Sequence, residues 1–432
     1  MPSEPKHARI QPRLIIHGGA GNIHRSNLPQ SSYAAYRTSL LSILNSSKTL
    51  LQSPSATALD VATHAVTLLE NDPLFNAGHG AVFTRAGTNE LEASVMVSDG
   101  HHKRGVGCML LTHVKNPIKL AREMLLRGDE LDGGGAQAHC QLSGPYLEDL
   151  ARKWGLDIVE QEYFWTRKRW EEHERGLERE KGGSGAEKSK HAGSIDDGDP
   201  SWDGHEYLPQ GTVGCVVLDS FGTICAATST GGLTNKLPGR IGDTPTIGAG
   251  FWAEEWFEEA IEPQMLYQNP GALVSAATSP LDKLSRGELF SVISDCLPLS
   301  TSSEQNRSST AAEKQDEPCK TVRRHAVGMS GTGNGDSFLR VNAVRTAAAI
   351  SRFTAPNLPL ATALKRVAGP GGELQRSAGE RWGKTGEGEG GIIGIELVGT
   401  EGKVVFDLNC GGMFRAWVDD AGEERFEVFR DE

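Results

Sequence analysis

GTVGCVVLDSFGTICAATSTGGLTNKLPGRIGDTPTIGAG, residues 211–250, carries the pattern from which the rest of the chain can be read. TVGCVVLD (212–219) and TICAATST (223–230) are rich in β-formers. Ser220-Phe221-Gly222 between them reads as a three-residue hairpin loop with glycine at the left-handed position. That loop sets Asp219 opposite Thr223, and the register carried back sets Thr212 opposite Thr230. Val213, Cys215 and Val217 point one way, Val216 and Leu218 the other. Apolar residues on both faces predict a sheet covered on both sides. Gly211 precedes Thr212, and Gly231-Gly232 follow Thr230. A threonine at the open end of a hairpin, beside a glycine, is a candidate nucleophile at a place where the backbone can be strained or cut. It is also how any strand begins after a turn.

The loop KLPGRIGDTP (236–245) carries Arg240 and Asp243. A guanidinium grips a carboxylate with two prongs and a carboxylate grips an ammonium, so the pair matches the zwitterionic head of a free amino acid. The other reading is a surface ion pair, worth little. SGTGNGD (330–336) is a glycine turn whose free N–H groups can face an anion, as in an oxyanion hole, although a plain tight turn has the same letters. It lacks the third glycine of a dinucleotide fingerprint.

Elsewhere RLII (13–16) reads as a strand that stops at the glycine turn HGGAG (17–21). Residues 31–52 and 57–70 have helical spacing, and 116–126 reads as a helix with Pro117 in its first turn. Residues 78–100 and 105–113 read as strands broken by glycine turns. From about 167 to 210 the chain is mostly charge, Gly and Ser: the first part can extend a helix and the rest is expected to be a mobile linker. From Phe257 on, apolar stretches allow one or two helices, followed by a polar, disordered run over 300–320.

The balance of 44 basic against 56 acidic residues, −12 net, disfavours nucleic acid and anionic membranes as partners. There is no apolar run of about 18 residues to span a bilayer, and the N-terminal MPSEPKHARIQPRL has no signal-peptide core. Seven cysteines without a C-x-x-C pair fit reduced thiols, hence a cytoplasmic setting.

Residues 211–250 closely resemble the plant-type asparaginases, or isoaspartyl peptidases, of the N-terminal-nucleophile (Ntn) hydrolase superfamily. IIHGGAG (15–21), LENDPLFNAGHGAVFTRAGTNELEASVM (69–96), MSGTGNGD (329–336) and, more loosely, LNCGGMFRAW (408–417) match in the family's order. The resemblance implies a four-layer αββα sandwich formed as one domain from a precursor. Self-cleavage between Gly211 and Thr212 would give an α subunit (1–211) and a β subunit (212–432), paired as (αβ)₂. Against the family pattern, about 257–325 would be an insertion. Thr212 would then be nucleophile and, through its new amine, base. Thr230 would hydrogen-bond the nucleophile, and Asn76 would support it. Gly18 and Gly19 would form the flexible segment that permits cleavage. Arg240 would hold the substrate carboxylate, and Asp243 with the Gly335 carbonyl its ammonium. The Thr332 hydroxyl and Gly333 N–H would form the oxyanion hole. No cofactor enters catalysis, while backbone carbonyls of Leu69, Glu70, Asp72, Phe75, Ala77 and His79 would hold a structural sodium ion. The implied substrates are L-asparagine and β-aspartyl dipeptides. Glycosylasparaginase, a taspase-like threonine protease and an uncleaved, inactive scaffold are the alternatives. Asp336 stands where many asparaginases have Glu, and TGNGD is closer to the glycosylasparaginase version.

Overall fold

The computed structural model describes residues 10–100, 102–183, 211–260 and 321–431. Twelve strands and nine α-helices lie in these residues. They run β1 (Arg13–Gly21), α1 (Gln30–Leu51), α2 (Ala58–Asn71), β2 (Leu91–Val97), β3 (Gly105–Leu111), α3 (Pro117–Arg127), β4 (Gln141–Ser143), α4 (Pro145–Lys153) and α5 (Arg167–Gly183). Then come β5 (Val213–Leu218), β6 (Ile224–Thr230), β7 (Phe251–Ala260), β8 (Thr321–Gly333), α6 (Gly335–Val341), α7 (Ala343–Phe353), α8 (Leu360–Ala368) and α9 (Glu373–Ser377). Strands β9 (Gly390–Val398), β10 (Glu401–Leu408), β11 (Gly412–Val418) and β12 (Glu424–Phe429) finish the chain. The fold is α/β, with an eight-stranded mixed sheet in the order β12-β11-β1-β5-β6-β2-β3-β4 and a four-stranded sheet in the order β10-β9-β8-β7.

The hairpin has the register its loop dictates: Val213 pairs with Ser229 and Leu218 with Ile224. Gly222 takes φ +85°, and the Asp219 carboxylate closes the turn by accepting the Phe221 and Thr223 N–H groups at 3.0 Å. Both faces of β5 are buried. Val213, Cys215 and Val217 join the core under α1, α2 and α3. Val216 and Leu218 join Ile224 and Ala226 against Phe251, Ala253, Ile393 and Ile395 of the smaller sheet. The smaller sheet's other side packs Val327, Met329 and Ile392 on Val344, Ala348, Leu364 and Val367. Each large apolar side chain so buried contributes about 1.5–3 kcal/mol.

Helix α2 starts where Thr57 accepts the Asp60 N–H at 3.2 Å, a side-chain N-cap. Helix α3 has Pro117 at its start, and its free Ile118 N–H is met from another helix by the Glu70 carboxyl at 2.9 Å.

The charged segment opening at 167 is an ordered helix as far as Gly183, because Arg169, Glu172 and His173 turn inward and are buried. Residues 184–210, the remainder of the expected linker, lie outside the described residues. The expected insertion, 257–325, overlaps the end of β7, which continues to Ala260, and the start of β8, which begins at Thr321. Its expected helices and polar run, 261–320, also lie outside the described residues. The chain divides into a compact unit of 1–258 with 323–432 and a second of 259–322. All of the site described below belongs to the first.

Candidate active site

Four segments meet at one end of the central strands of the two sheets: the turn in β1, the start of β5, the end of β6 and the end of β8. Glycine makes the meeting sterically feasible. A Cβ on Gly211 would lie 2.1 Å from the Gly19 Cα and 2.4 Å from the Ala20 nitrogen. Gly19 itself has φ +116°, a left-handed value that L side chains avoid. The pairing of β1 with β11 slips between His17 and Ala20, and this bulge makes room for Gly211. A Cβ on Gly18 would strike the Phe75 ring at 2.6 Å. Gly211→Ala is therefore expected to slow self-cleavage at least tenfold, read as the appearance of two bands on a denaturing gel over time. Wild-type timing would contradict the packing argument.

Thr212 is buried, with 6% of its surface exposed. Its hydroxyl shares a 2.9 Å hydrogen bond with the Thr244 hydroxyl. Thr230, the expected partner, makes another contact in the uncut chain. The Thr230 hydroxyl is engaged by the Gly232 N–H at 3.0 Å, closing the turn after β6. Thr244 is held in turn: its carbonyl accepts the Ser94 hydroxyl at 2.6 Å and the Thr228 hydroxyl at 3.2 Å. Asn76 donates to the Gly232 carbonyl at 2.7 Å and accepts the Val82 N–H at 3.0 Å, so it fixes the turn after β6. His17 is fully buried and shares a 2.7 Å hydrogen bond with Ser330. Only glycine fits opposite at 214, where a Cβ would lie 2.1 Å from the Ser330 oxygen. Burial depresses the His17 pKa to about 3, so the ring is neutral.

The Thr332 hydroxyl accepts the Ala20 N–H at 3.2 Å, which puts it beside Gly211. Gly333 has φ +148° and is backed by the Glu389 carbonyl. Arg240, Asp243 and Gly335 also come together: a Cβ on Gly335 would lie 2.6 Å from Asp243 Oδ1 and 2.9 Å from an Arg240 nitrogen. Arg240 reaches Asp336 at 3.0 Å. Beneath them the buried Glu92 accepts the Gly242 N–H at 3.1 Å, and burial raises its pKa. Lys236 donates to the Glu90 carbonyl at 2.7 Å. Asp243 Oδ2 and Arg240 Nε are buried without a hydrogen-bond partner among the described residues, so both have capacity for a ligand.

Burial pushes the Asp243 pKa up to about 7, against the opposing pull of Arg240. The sign of the linkage follows. The folded chain holds a proton on Asp243 between pH 4 and 7 that the unfolded chain has released, so this group's contribution to stability declines as pH rises through that window. Asp243→Asn is expected to raise Tm more at pH 8 than at pH 5, measured by calorimetry. An equal or inverted shift would oppose this account.

The expected cation loop closes tightly on its own carbonyls. A Cβ on Gly78 would lie 2.3 Å from the Glu70 carbonyl oxygen, and one on Gly80 would lie 2.1 Å from that of Phe75. The Leu69 and Ala77 carbonyls accept the Asp72 and Gly80 N–H groups at 3.4 and 3.2 Å. Asp72 accepts the Leu74 N–H at 3.0 Å and His79 packs edge-on against Tyr163. Among the described residues, no cluster of three or more His, Cys, Asp or Glu side chains is placed to hold a metal, and no helix is long and apolar enough to cross a membrane.

Thr244, Glu92, Ser94, His17 and Ser330 were not singled out from the sequence as site residues. Thr244 sits one residue after Asp243, and its hydroxyl was the one available signal.

The profile of the family described as "Asparaginase" matches residues 10–258. The chain is 40% identical over 240 residues to the isoaspartyl peptidase of Escherichia coli, covering 56% of this chain and 67% of that one. It is 39% identical over 240 residues to the isoaspartyl peptidase of Salmonella typhimurium, covering 56% and 69%. With the isoaspartyl peptidase/L-asparaginase of Mus musculus it shares 34% over 244 residues, covering 56% and 63%. The family match spans more than half of the chain and the relatives share up to 40% identity, so the chain belongs to the type 2 asparaginase and isoaspartyl peptidase family.

Proposed function

We propose that this chain cuts itself between Gly211 and Thr212 and then hydrolyses L-asparagine and β-aspartyl dipeptides. The observation that carries the reading is the meeting of Gly211 and Thr212 with Gly19, Thr244 and Thr332. The Thr212 hydroxyl attacks the Gly211 carbonyl, the peptide nitrogen leaves as a free amine, and water opens the resulting ester. Bulge and glycine packing support this step, because they hold the scissile peptide against Ala20 and Thr332.

The freed α-amine has an ordinary pKa of about 7.7–8.0. Neutral, it takes the proton from its own hydroxyl, and the alkoxide attacks the substrate's side-chain amide carbon. Thr332 and Gly333 stabilise the oxyanion. The amine's proton goes to the leaving ammonia or peptide nitrogen, and water then hydrolyses the acyl ester. Arg240 and Asp243 hold the zwitterionic head common to both substrates. With Asp243 raised to about 7, kcat/KM is expected to fall as pH drops from 8 to 5.5: the carboxyl loses its charge and the amine its lone pair. A flat profile across that range would oppose both roles.

The same reading makes the fold a four-layer αββα sandwich. Its support is the succession of three apolar clusters: helices on the large sheet, sheet on sheet, and helices on the small sheet. The carbonyls of 69–79 would hold a sodium ion that fixes the turn carrying Asn76.

The deciding experiment compares L-asparagine, β-aspartyl-leucine and N-acetylglucosaminyl-asparagine as substrates of the self-cleaved protein. The first two are expected to be hydrolysed. Turnover of the glycosylated substrate alone would replace this reading with glycosylasparaginase.

A further inference from the structure

We propose that α5, the charged helix upstream of the cleavage point, positions the substrate-head loop, and that His173 is its positioning residue. This rests on the reading of residues 236–243 as the loop that holds the amino-acid head. Helix α5 presents Arg169, Trp170, His173 and Gly176 on one side, at helical spacing. Arg169 is buried, donates to the Gly80 carbonyl at 2.8 Å and pairs with Glu172 at 2.9 Å. Trp170 meets the Phe83 ring edge-on, with centroids 5.2 Å apart.

The loop side of this contact is Asn235. Its φ is +59°, a left-handed backbone that residues other than glycine rarely adopt. Its N–H bonds the Phe83 carbonyl at 2.8 Å. Its side chain is held twice by one residue of α5: Oδ1 hydrogen-bonds the His173 ring, and Nδ2 donates to the His173 carbonyl at 3.1 Å. Gly176 lies so close that a Cβ there would be 2.3 Å from Asn235 Nδ2. The next residue, Lys236, sits with Arg240 over the buried Glu92. Fixing Asn235 therefore fixes the angle at which the loop leaves β6 and delivers Arg240.

Substitutions at two positions of the full chain, His173 and Gly176, test the proposal. In His173→Ala, hydrogen exchange of amides 231–243 is expected to quicken at least tenfold, and His173→Gln, which retains an amide partner for Asn235, should restore most of the protection. With β-aspartyl-leucine, His173→Ala should raise KM about tenfold and leave kcat within about twofold. Gly176→Ala separates docking from mere helicity. On a solvated helix, alanine for glycine strengthens the helix. On a docked one, the new methyl pushes Asn235 away and should reproduce the His173→Ala exchange pattern. Unchanged loop exchange in both variants overturns the proposal, whatever the substrate turns out to be. Faster exchange with no dipeptide turnover by the wild type would leave the positioning role intact and remove only the substrate reading.

Discussion

Thr212→Ala is expected to remain a single unbroken chain and to lose hydrolysis by on the order of 10⁴-fold or more, the scale seen when a covalent nucleophile is removed. The reasoning is local. Several hydroxyls crowd the site, including Thr230, Thr244 and Thr332, and a spectator threonine could in principle take over. None can. Thr244 and Thr230 are internal residues, so neither acquires the adjacent amine that makes the hydroxyl reactive near neutral pH. The Thr332 oxygen is engaged by the Ala20 N–H. Thr212→Ser retains the hydroxyl and should still cut itself, more slowly, since it lacks the methyl that buries and orients the side chain. A denaturing gel separates the cases: two bands for the wild type and the serine variant, one for alanine. Sequencing the C-terminal fragment should begin TVGCVV. An alanine variant that still splits, or a fragment beginning elsewhere, would end the account. Loss of the hydroxyl leaves the Thr244 side chain with one partner fewer, so a modest drop in Tm is expected without unfolding.

The hairpin was legible because local rules decide it. Loop length and Gly222 set the register, and a strand apolar on both faces has to be covered on both faces, as the pairing Val213–Ser229 and the two cores show. The paired letters of Arg240 and Asp243 were legible for a similar reason: they lie on one short loop and their chemistry is complementary. Two features were not. Helix α5 looks like a solvated run of charge, because sequence cannot tell a guanidinium that faces water from one that reaches a backbone carbonyl such as that of Gly80. The contact of Thr212 with Thr244 was hidden because strand register determines which backbones are adjacent, not which hydroxyls turn toward each other. Register places Thr230 across from Thr212, the Gly232 N–H donates to the Thr230 hydroxyl, and Thr244 approaches Thr212 from the loop. In both cases the deciding contacts join residues distant in the chain.

Arg240→Ala and Asp243→Asn are each expected to lower kcat/KM by about 10²–10³ while leaving self-cleavage at the wild-type rate. Losing one partner of a buried, hydrogen-bonded charge pair costs about 3–5 kcal/mol, much of it because the other charge is left unmatched. Here the partner is the substrate. Asp243 Oδ2 is buried with spare capacity, and it answers an ammonium only as a carboxylate. Asparagine there imitates its protonated form, so the variant behaves at pH 8 as the wild type does at low pH. It is then more stable than the wild type and nearly inactive, the trade expected where a charge is kept buried for binding. Arg240 presents a different case, since Asp336 already occupies one of its nitrogens at 3.0 Å. A substrate carboxylate must share or displace that exposed partner, and Arg240→Lys cannot do so with a two-pronged grip. The lysine variant should therefore fall nearly as far as the alanine one, chiefly in KM. The two sites act on one head group, so the double variant should lose less than the product of the single losses. Intact self-cleavage with lost turnover would locate both residues in substrate recognition. Loss of cleavage together with turnover would mean that they support the fold around Thr212, and the zwitterion argument would fail.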